Sequence, residues 1–467
     1  MAGRHILCGF LLGFWGMDNA SAQIGDPASD GPEVTTAPTP SPDIPEDAHE
    51  GAMPEASSSG NEEPEPTGPV LELPDPTETA PVPTPALPVA DPVLRGLQEE
   101  RFARAQSTSV GGYGELHYNL VVPDGDGQSA AQIDLHRLVL FFAHNFSDPL
   151  RFYAEVEIEH AFVEGGDESG EIGVEQAFID WRLLDDRLGL RAGVVLVPMG
   201  IINQWHEPPV FHGVERPAVD RVVIPTTWRE GGIGVFGEPV EGLRYELYVM
   251  SGLDPAGFSA SNGLRGGRQH VFEASTDGLA VAGRVEYEPL PGLLGGLSAY
   301  WGQAGPNADL VTDCTTDPVT GELVGCVGFD GDVPVLGFSA DARLHLAGIE
   351  ARAVAAYFSV GDTEPIRSGG IDVASGLIGM YAEVGYDVLS LVESEHQLVP
   401  FMRLERYDPT FRHDEAAVQG TAAATDLVVG ATYRPIPQIA LKADVTRHMA
   451  DAGAGRTVLD LGVGWMF

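Results

Sequence analysis

Between residues 150 and 161 the chain reads LRFYAEVEIEHA, and Glu155, Glu157 and Glu159 alternate with Val156 and Ile158. A helix would spread these glutamates around its circumference, whereas an extended strand lines them on one face. The same period of two recurs to the end of the chain. Arg244, Glu246 and Tyr248 oppose Tyr245, Leu247 and Val249, and Tyr381, Glu383, Gly385 and Asp387 oppose Met380, Ala382, Val384 and Tyr386. Lys442, Asp444 and Thr446 oppose Leu441, Ala443 and Val445. In residues 456–467, Leu459, Leu461, Val463, Trp465 and Phe467 alternate with Asp460, Gly462, Gly464 and Met466, which leaves Met466 as an apolar residue on the polar face. A frayed terminus would put Trp-Met-Phe in water. A strand with one face in lipid and an aromatic end at the interface accommodates it.

Tight turns punctuate the strands at 147–149, 185–186, 238–242, 289–292, 346–348, 389–395 and 435–437, and longer connections alternate with them. Seven tight turns after a first strand near Val110 predict 16 strands. Residues 107–467 then offer about 23 residues per strand and connection, room for a membrane strand of about 9–11 residues plus long loops. The fold class expected is all-β: a 16-stranded antiparallel transmembrane β-barrel of the outer membrane, short turns periplasmic and long loops outside. An array of soluble sandwiches fits less well, because inward faces carrying several charges recur from end to end.

Composition supports this reading. The formal charge is -43 and Lys442 is the sole lysine, so a nucleic-acid partner, which needs basic residues against phosphate, is not expected. No run of 18 apolar residues follows the N-terminus, which excludes helical membrane spans. Residues 1–22 read as a signal peptide: Arg4, an apolar stretch over 6–17, and Ala20-Ser21-Ala22 as the cleavage site. Residues 23–93 form an acidic, proline-rich segment. Its first 70 residues hold 17 of the 36 prolines, 15 acidic side chains and no Lys or Arg, a composition that cannot bury a core. It is expected to be disordered and periplasmic. Residues 94–106 suit a short helix or linker, and 107–467 are the barrel. The protein is therefore expected in the outer membrane of a Gram-negative bacterium.

The most distinctive connection is 199–228, MGIINQWHEPPVFHGVERPAVDRVVIPTTW, too apolar to extend freely into water. It is expected to fold into the barrel and narrow the pore, with Glu215, Arg216, Asp220, Arg221 and Arg229 around the opening. Packing as a lid on the rim is the other arrangement open to it. Glu155, Glu157, Glu159, Arg191 and Arg244 are expected to face the lumen, where acids outnumber bases and would favour cations. His206, Glu207 and His212 hint at metal chemistry, but two histidines six apart with Pro208 and Pro209 between them cannot share a helix face, so no metal or cofactor is expected. Cys314 and Cys326 fall in one polar connection of an exported chain and are expected to form a disulfide. No catalytic motif is present, and no enzymatic activity is expected.

GYGELHYN (112–119), DLHRLVLFFAHNF (134–146), AEVEIEHAFV (154–163) and the run from VPMGIINQWHEPP through HGVERP to IPTTWREGGIG resemble the phosphate-selective porin O and P family, in particular its broad porin-like branch. The resemblance covers roughly 110–467 and is densest up to Gly234. It implies a 16-stranded outer-membrane barrel in the lipid bilayer, a third long loop folded into the lumen, passive solute diffusion and a homotrimer. Phosphate-selective members line the pore with arginines and lysines; with one lysine here, no phosphate site carries over. The expected function is passive diffusion of small hydrophilic solutes or ions through a water-filled pore narrowed by 199–228. The alternative is a plugged barrel acting as an anchor through its acidic tail.

Overall fold

The computed structural model describes residues 108–161, 170–305, 307–312, 315–316, 323–324, 327–329, 331–368, 371–413 and 422–467. The expected signal peptide, acidic segment and linker, and the pair Cys314 and Cys326, lie outside the described residues.

Sixteen strands close on themselves, each antiparallel to its neighbours. The first half comprises β1 (Thr108–Pro123), β2 (Ala130–Asn145), β3 (Leu150–Glu159), β4 (Ile172–Arg182), β5 (Gly189–Leu196), β6 (Arg229–Val240), β7 (Leu243–Ser251) and β8 (Leu279–Leu290). The second comprises β9 (Leu293–Ala304), β10 (Val333–Leu346), β11 (Ile349–Val360), β12 (Gly376–Tyr386), β13 (Gln397–Arg412), β14 (Ala424–Ile436), β15 (Ile439–Ala450) and β16 (Arg456–Met466). The ring closes where β1 meets β16, with Tyr113 opposite Met466 and Asn119 opposite Asp460. Phe467 completes the seam by exchanging backbone hydrogen bonds of 2.8 and 2.9 Å with Gly112. Closure removes the unpaired edges that lipid would not tolerate. No helix among the described residues is long and apolar enough to cross a membrane.

The alternation sorts side chains as the sequence predicts. Trp181, Ile233, Leu247, Leu297, Trp301, Phe338, Leu404 and Leu461 point outward and are exposed, a belt suited to lipid. The inward set is buried, and much of it is apolar: Tyr153, Tyr248, Tyr300 and Phe358 join one core inside the ring. Met466 belongs there too, packed with Tyr113, Val139 and Val210. Its place on the polar face is thereby explained: that face meets a packed interior at this height.

Two bulges re-aim side chains. Between β1 and β2 the register shifts after Glu115, and the extra residue His136 stacks on His117 with ring centroids 4.8 Å apart. Between β3 and β4 the register shifts after Glu155, and the extra residue Glu175 accepts a 3.1 Å bond from the Tyr113 hydroxyl.

Candidate functional site

The connection between β5 and β6 runs from 197 to 228, two residues longer at its start than expected. It leaves and rejoins the wall at one rung: Leu196 pairs with Arg229, and the Val197 amide donates to the Trp228 carbonyl at 2.8 Å. Asn203 fastens this neck. Its Nδ2 donates to the carbonyls of Val197 (2.7 Å) and Trp228 (3.2 Å), and its Oδ1 accepts from the Trp228 amide (2.8 Å). Pro208 and Pro209 start a 3-10 turn, and Val219–Val222 form a single helical turn, α1. Proline-rich segments of this kind cannot join a ladder, so the chain folds inward as a compact body.

That body touches the wall on every side. Gln204 donates to Glu246 of β7 (3.1 Å), and His206 lies 3.4 Å from Glu175 of β4. Arg352 of β11 donates to the Val210 carbonyl (3.0 Å), Thr432 of β14 to that of His212 (2.7 Å) and Lys442 of β15 to that of Gly213 (2.8 Å). The Val214 amide donates to Asp444 of β15 (2.8 Å), and the Val219 amide to Glu405 of β13 (3.3 Å). Glu215 accepts from Asn119 of β1 (3.1 Å) and lies at the same distance from His117. Glycines in the wall give the loop room. A β-carbon on Gly464 would stand 2.5 Å from that of Pro208, and one on Gly379 would stand 2.8 Å from Val223. Residues 197–203, 206–214 and 222–228 are all buried. The loop therefore packs against the inner face of the wall along most of its length, a much tighter arrangement than a rim lid.

The residues expected to line the opening divide into two groups. Glu155 and Glu157 face inward but are buried and partnered. Glu155 accepts from Gln176 (2.7 Å) and from the Tyr153 hydroxyl, and Glu157 lies 3.4 Å from Arg137. Arg191 is bound by Asp180 (2.7 and 2.9 Å) with its guanidinium 4.1 Å from the Phe178 ring centre. Arg244 pairs with Glu286 at 3.1 Å. Asp220 and Arg229 are buried. The second group meets water: Glu159 and Arg216 are half-buried, and Glu215 and Arg221 exposed. Arg221 also borders a cavity of about 390 Å³, whose lining includes Tyr407, His448 and Arg456.

Burial sets the state of the loop's own titratable groups. It pushes His212 down. It also acts downward on His206, but Glu175 beside it outweighs burial and raises it. Burial carries Asp220 up to about 7, opposed by the neighbouring Tyr381 hydroxyl and helped by the charge of Glu405.

The wall's acids are largely spent on arginines. Arg403 bridges Glu383 (3.2 Å) and Glu405 (2.7 Å), and Arg284 bridges Asp341 (2.6 Å) and Glu286 (2.9 Å). Arginines of the long connections are different. Arg216 donates to the His206 carbonyl (3.2 Å), Arg265 to Thr226 (2.8 and 3.1 Å), and Arg268 to Thr226 and Thr227. Among the described residues no carboxylate pairs with Arg216, Arg221, Arg265 or Arg268. Sequence reasoning missed His117, Arg265 and Arg268. The alternation of Glu115, His117 and Asn119 in GYGELHYN could have found the first; nothing local announces the other two.

A closed ring of sixteen antiparallel strands with its third long connection folded inside is the fold of outer-membrane porins. It is shared with OmpF of Salmonella typhi, solved in complex with daunomycin (13% identity, TM-score 0.51, 78% of this chain and 98% of that one). The outer membrane channel DcaP of Acinetobacter baumannii is also similar (10% identity, TM-score 0.49, 77% and 97%). The likeness to OmpF shows the fold alone. No family model matches the chain. In sequence it is 35% identical over 378 residues to an uncharacterized protein of Aquifex aeolicus (strain VF5), covering 78% of this chain and 80% of that one, and it belongs to the same family as that protein.

Proposed function

We propose that the protein is a porin-type outer-membrane channel for passive diffusion of small hydrophilic solutes or ions, with residues 197–228 setting its aperture. The observation that carries this is the inward loop, anchored to strands from β1 to β15, with Glu215 and Arg221 exposed to water and Arg216 half-buried beside them. An acid-rich lumen suggested cation preference. The pairing of the wall acids, and the absence, among the described residues, of carboxylate partners for Arg216, Arg221, Arg265 and Arg268, support anion preference at the mouth instead. The finer resemblance to the porin-like branch of the phosphate-selective porin O and P family rests on sequence motifs, and trimer formation is proposed on the same ground.

A second reading has its own support. Burial of nearly the whole loop favours a barrel closed at rest, an anchor with its lumen plugged. Planar-bilayer recording of the purified protein separates the two, because a permanent plug gives no open-channel steps. Reversal potential in a KCl gradient then tests selectivity: a cation-selective potential would overturn the reading of the mouth.

A further inference from the structure

In the half of the lumen that carries the long connections, β2 and the end of β3 bring three metal-ligating side chains to one point. Asp134 and His136 come from β2, on either side of Leu135, and both face inward because the bulge turns His136 toward His117. His160 follows the last residue of β3, and its amide donates to the His136 carbonyl at 3.3 Å, which ties the two histidine backbones together. His160 and Ala161 both hold left-handed φ angles of 57° and 56°. That conformation is uncommon outside glycine, and here it turns the His160 ring back over the wall.

Three atoms converge. The Nδ1 atoms of His136 and His160 stand 3.2 and 2.8 Å from the same Asp134 Oδ2. Ligands that share a metal at about 2.0–2.1 Å lie about 2.9 Å apart at right angles and about 3.3 Å apart at the tetrahedral angle. The two observed separations lie within about 0.1 Å of those values, and all three ligand atoms lie within 4.8 Å of one another, so an ion could be accepted with small side-chain movements. The side chains are also reachable: Asp134 is 14% exposed, His136 29% and His160 50%. No arginine or lysine pairs with Asp134 among the described residues, so its charge is not already neutralised by a fixed cation. The other cluster of suitable side chains among the described residues, Glu155, Glu175 and His206, is buried and serves to hold the loop.

From this geometry we infer that Asp134, His136 and His160 form a binding site for one divalent transition-metal ion. Two imidazoles and one carboxylate suit the borderline ions, Zn²⁺, Ni²⁺, Co²⁺ or Cu²⁺, over the all-oxygen preference of Ca²⁺ and Mg²⁺. Three protein ligands on one side of the ion leave at least one position to water or solute, as in open zinc sites. The inference does not depend on whether the pore conducts.

The test is Zn²⁺ titration of the untagged protein in detergent, by calorimetry and by competition with a chromogenic chelator. One ion per barrel should bind with a Kd of about 10 µM or tighter. Asp134→Asn, His136→Ala and His160→Ala should each weaken binding about tenfold or more. His144→Ala, at the other end of β2, should leave it unchanged, and heat-modifiable gel mobility verifies that every variant is folded. Ca²⁺ should not compete. Absence of stoichiometric Zn²⁺ binding by the folded wild type, or unaltered affinity in a folded His136→Ala/His160→Ala double variant, would overturn the assignment.

Discussion

Replacing Trp228 with alanine should release the loop. Trp228 is fully buried at the neck, its ring 4.8 Å from Tyr300 of β9 and 6.2 Å from Phe358 of β11, and its Nε1 donates to Glu230 at 3.3 Å. Truncating a buried tryptophan costs about 3–5 kcal/mol. The ring contacts cross the lumen to β9 and β11, away from β5 and β6, so most of this loss falls on loop docking and little on the strand ladder. Since about 1.4 kcal/mol is a factor of ten, docking should weaken by about 10²–10⁴-fold. In single-channel recordings the variant should spend far more time in wide-open states than the wild type. Trp301→Ala is the control, because that ring points outward and is 58% exposed. Wild-type openings in Trp228→Ala, or an equal effect from Trp301→Ala, would refute the reasoning.

Three further outcomes follow from the same packing. Asp220 titrates near 7 when docked but near 3.9 when hydrated, so the docked loop holds an extra proton between those values and docking weakens as pH rises through that window. Channel opening should increase from pH 5 to pH 8, and Asp220→Asn should flatten the profile; an unchanged profile in that variant would contradict this. Gly464→Leu places side-chain atoms where Pro208 now sits, an overpacking cost of about 1–3 kcal/mol. Trypsin should then cut after Arg221 faster than in the wild type. Arg403→Met strands the buried carboxylate of Glu405, while Glu383 keeps Arg352 at 2.9 Å, at a cost of about 3–5 kcal/mol. The heat-modifiable gel transition should fall in temperature, and adding Glu405→Gln should restore part of the loss.

The wall was legible because lipid demands an unbroken apolar face. The period of two at 155–159, 244–249 and 441–446 assigns sides correctly, and the seven turns count the strands. The interior was less legible, because the same alternation marks a residue as inward whether it meets water or a packed loop. Glu155 and Glu157 looked like pore lining and are buried; Met466 looked misplaced and is core. The bulges that turn His136 and Glu175 inward break the period by one residue and leave no local signal. Arg265 and Arg268 reach the loop from a connection distant in sequence, so their convergence on Thr226 comes from tertiary structure alone.

The central claim is that residues 197–228 set the aperture. Since Val197 and Trp228 already face each other as a hydrogen-bonded rung, residues 198–227 can be replaced by Asn-Gly, a two-residue turn that matches the twist of paired strands. Single-channel conductance of this variant in planar bilayers is the most direct measurement. Stable steps several-fold larger than any wild-type step are predicted; steps of wild-type size would contradict the account.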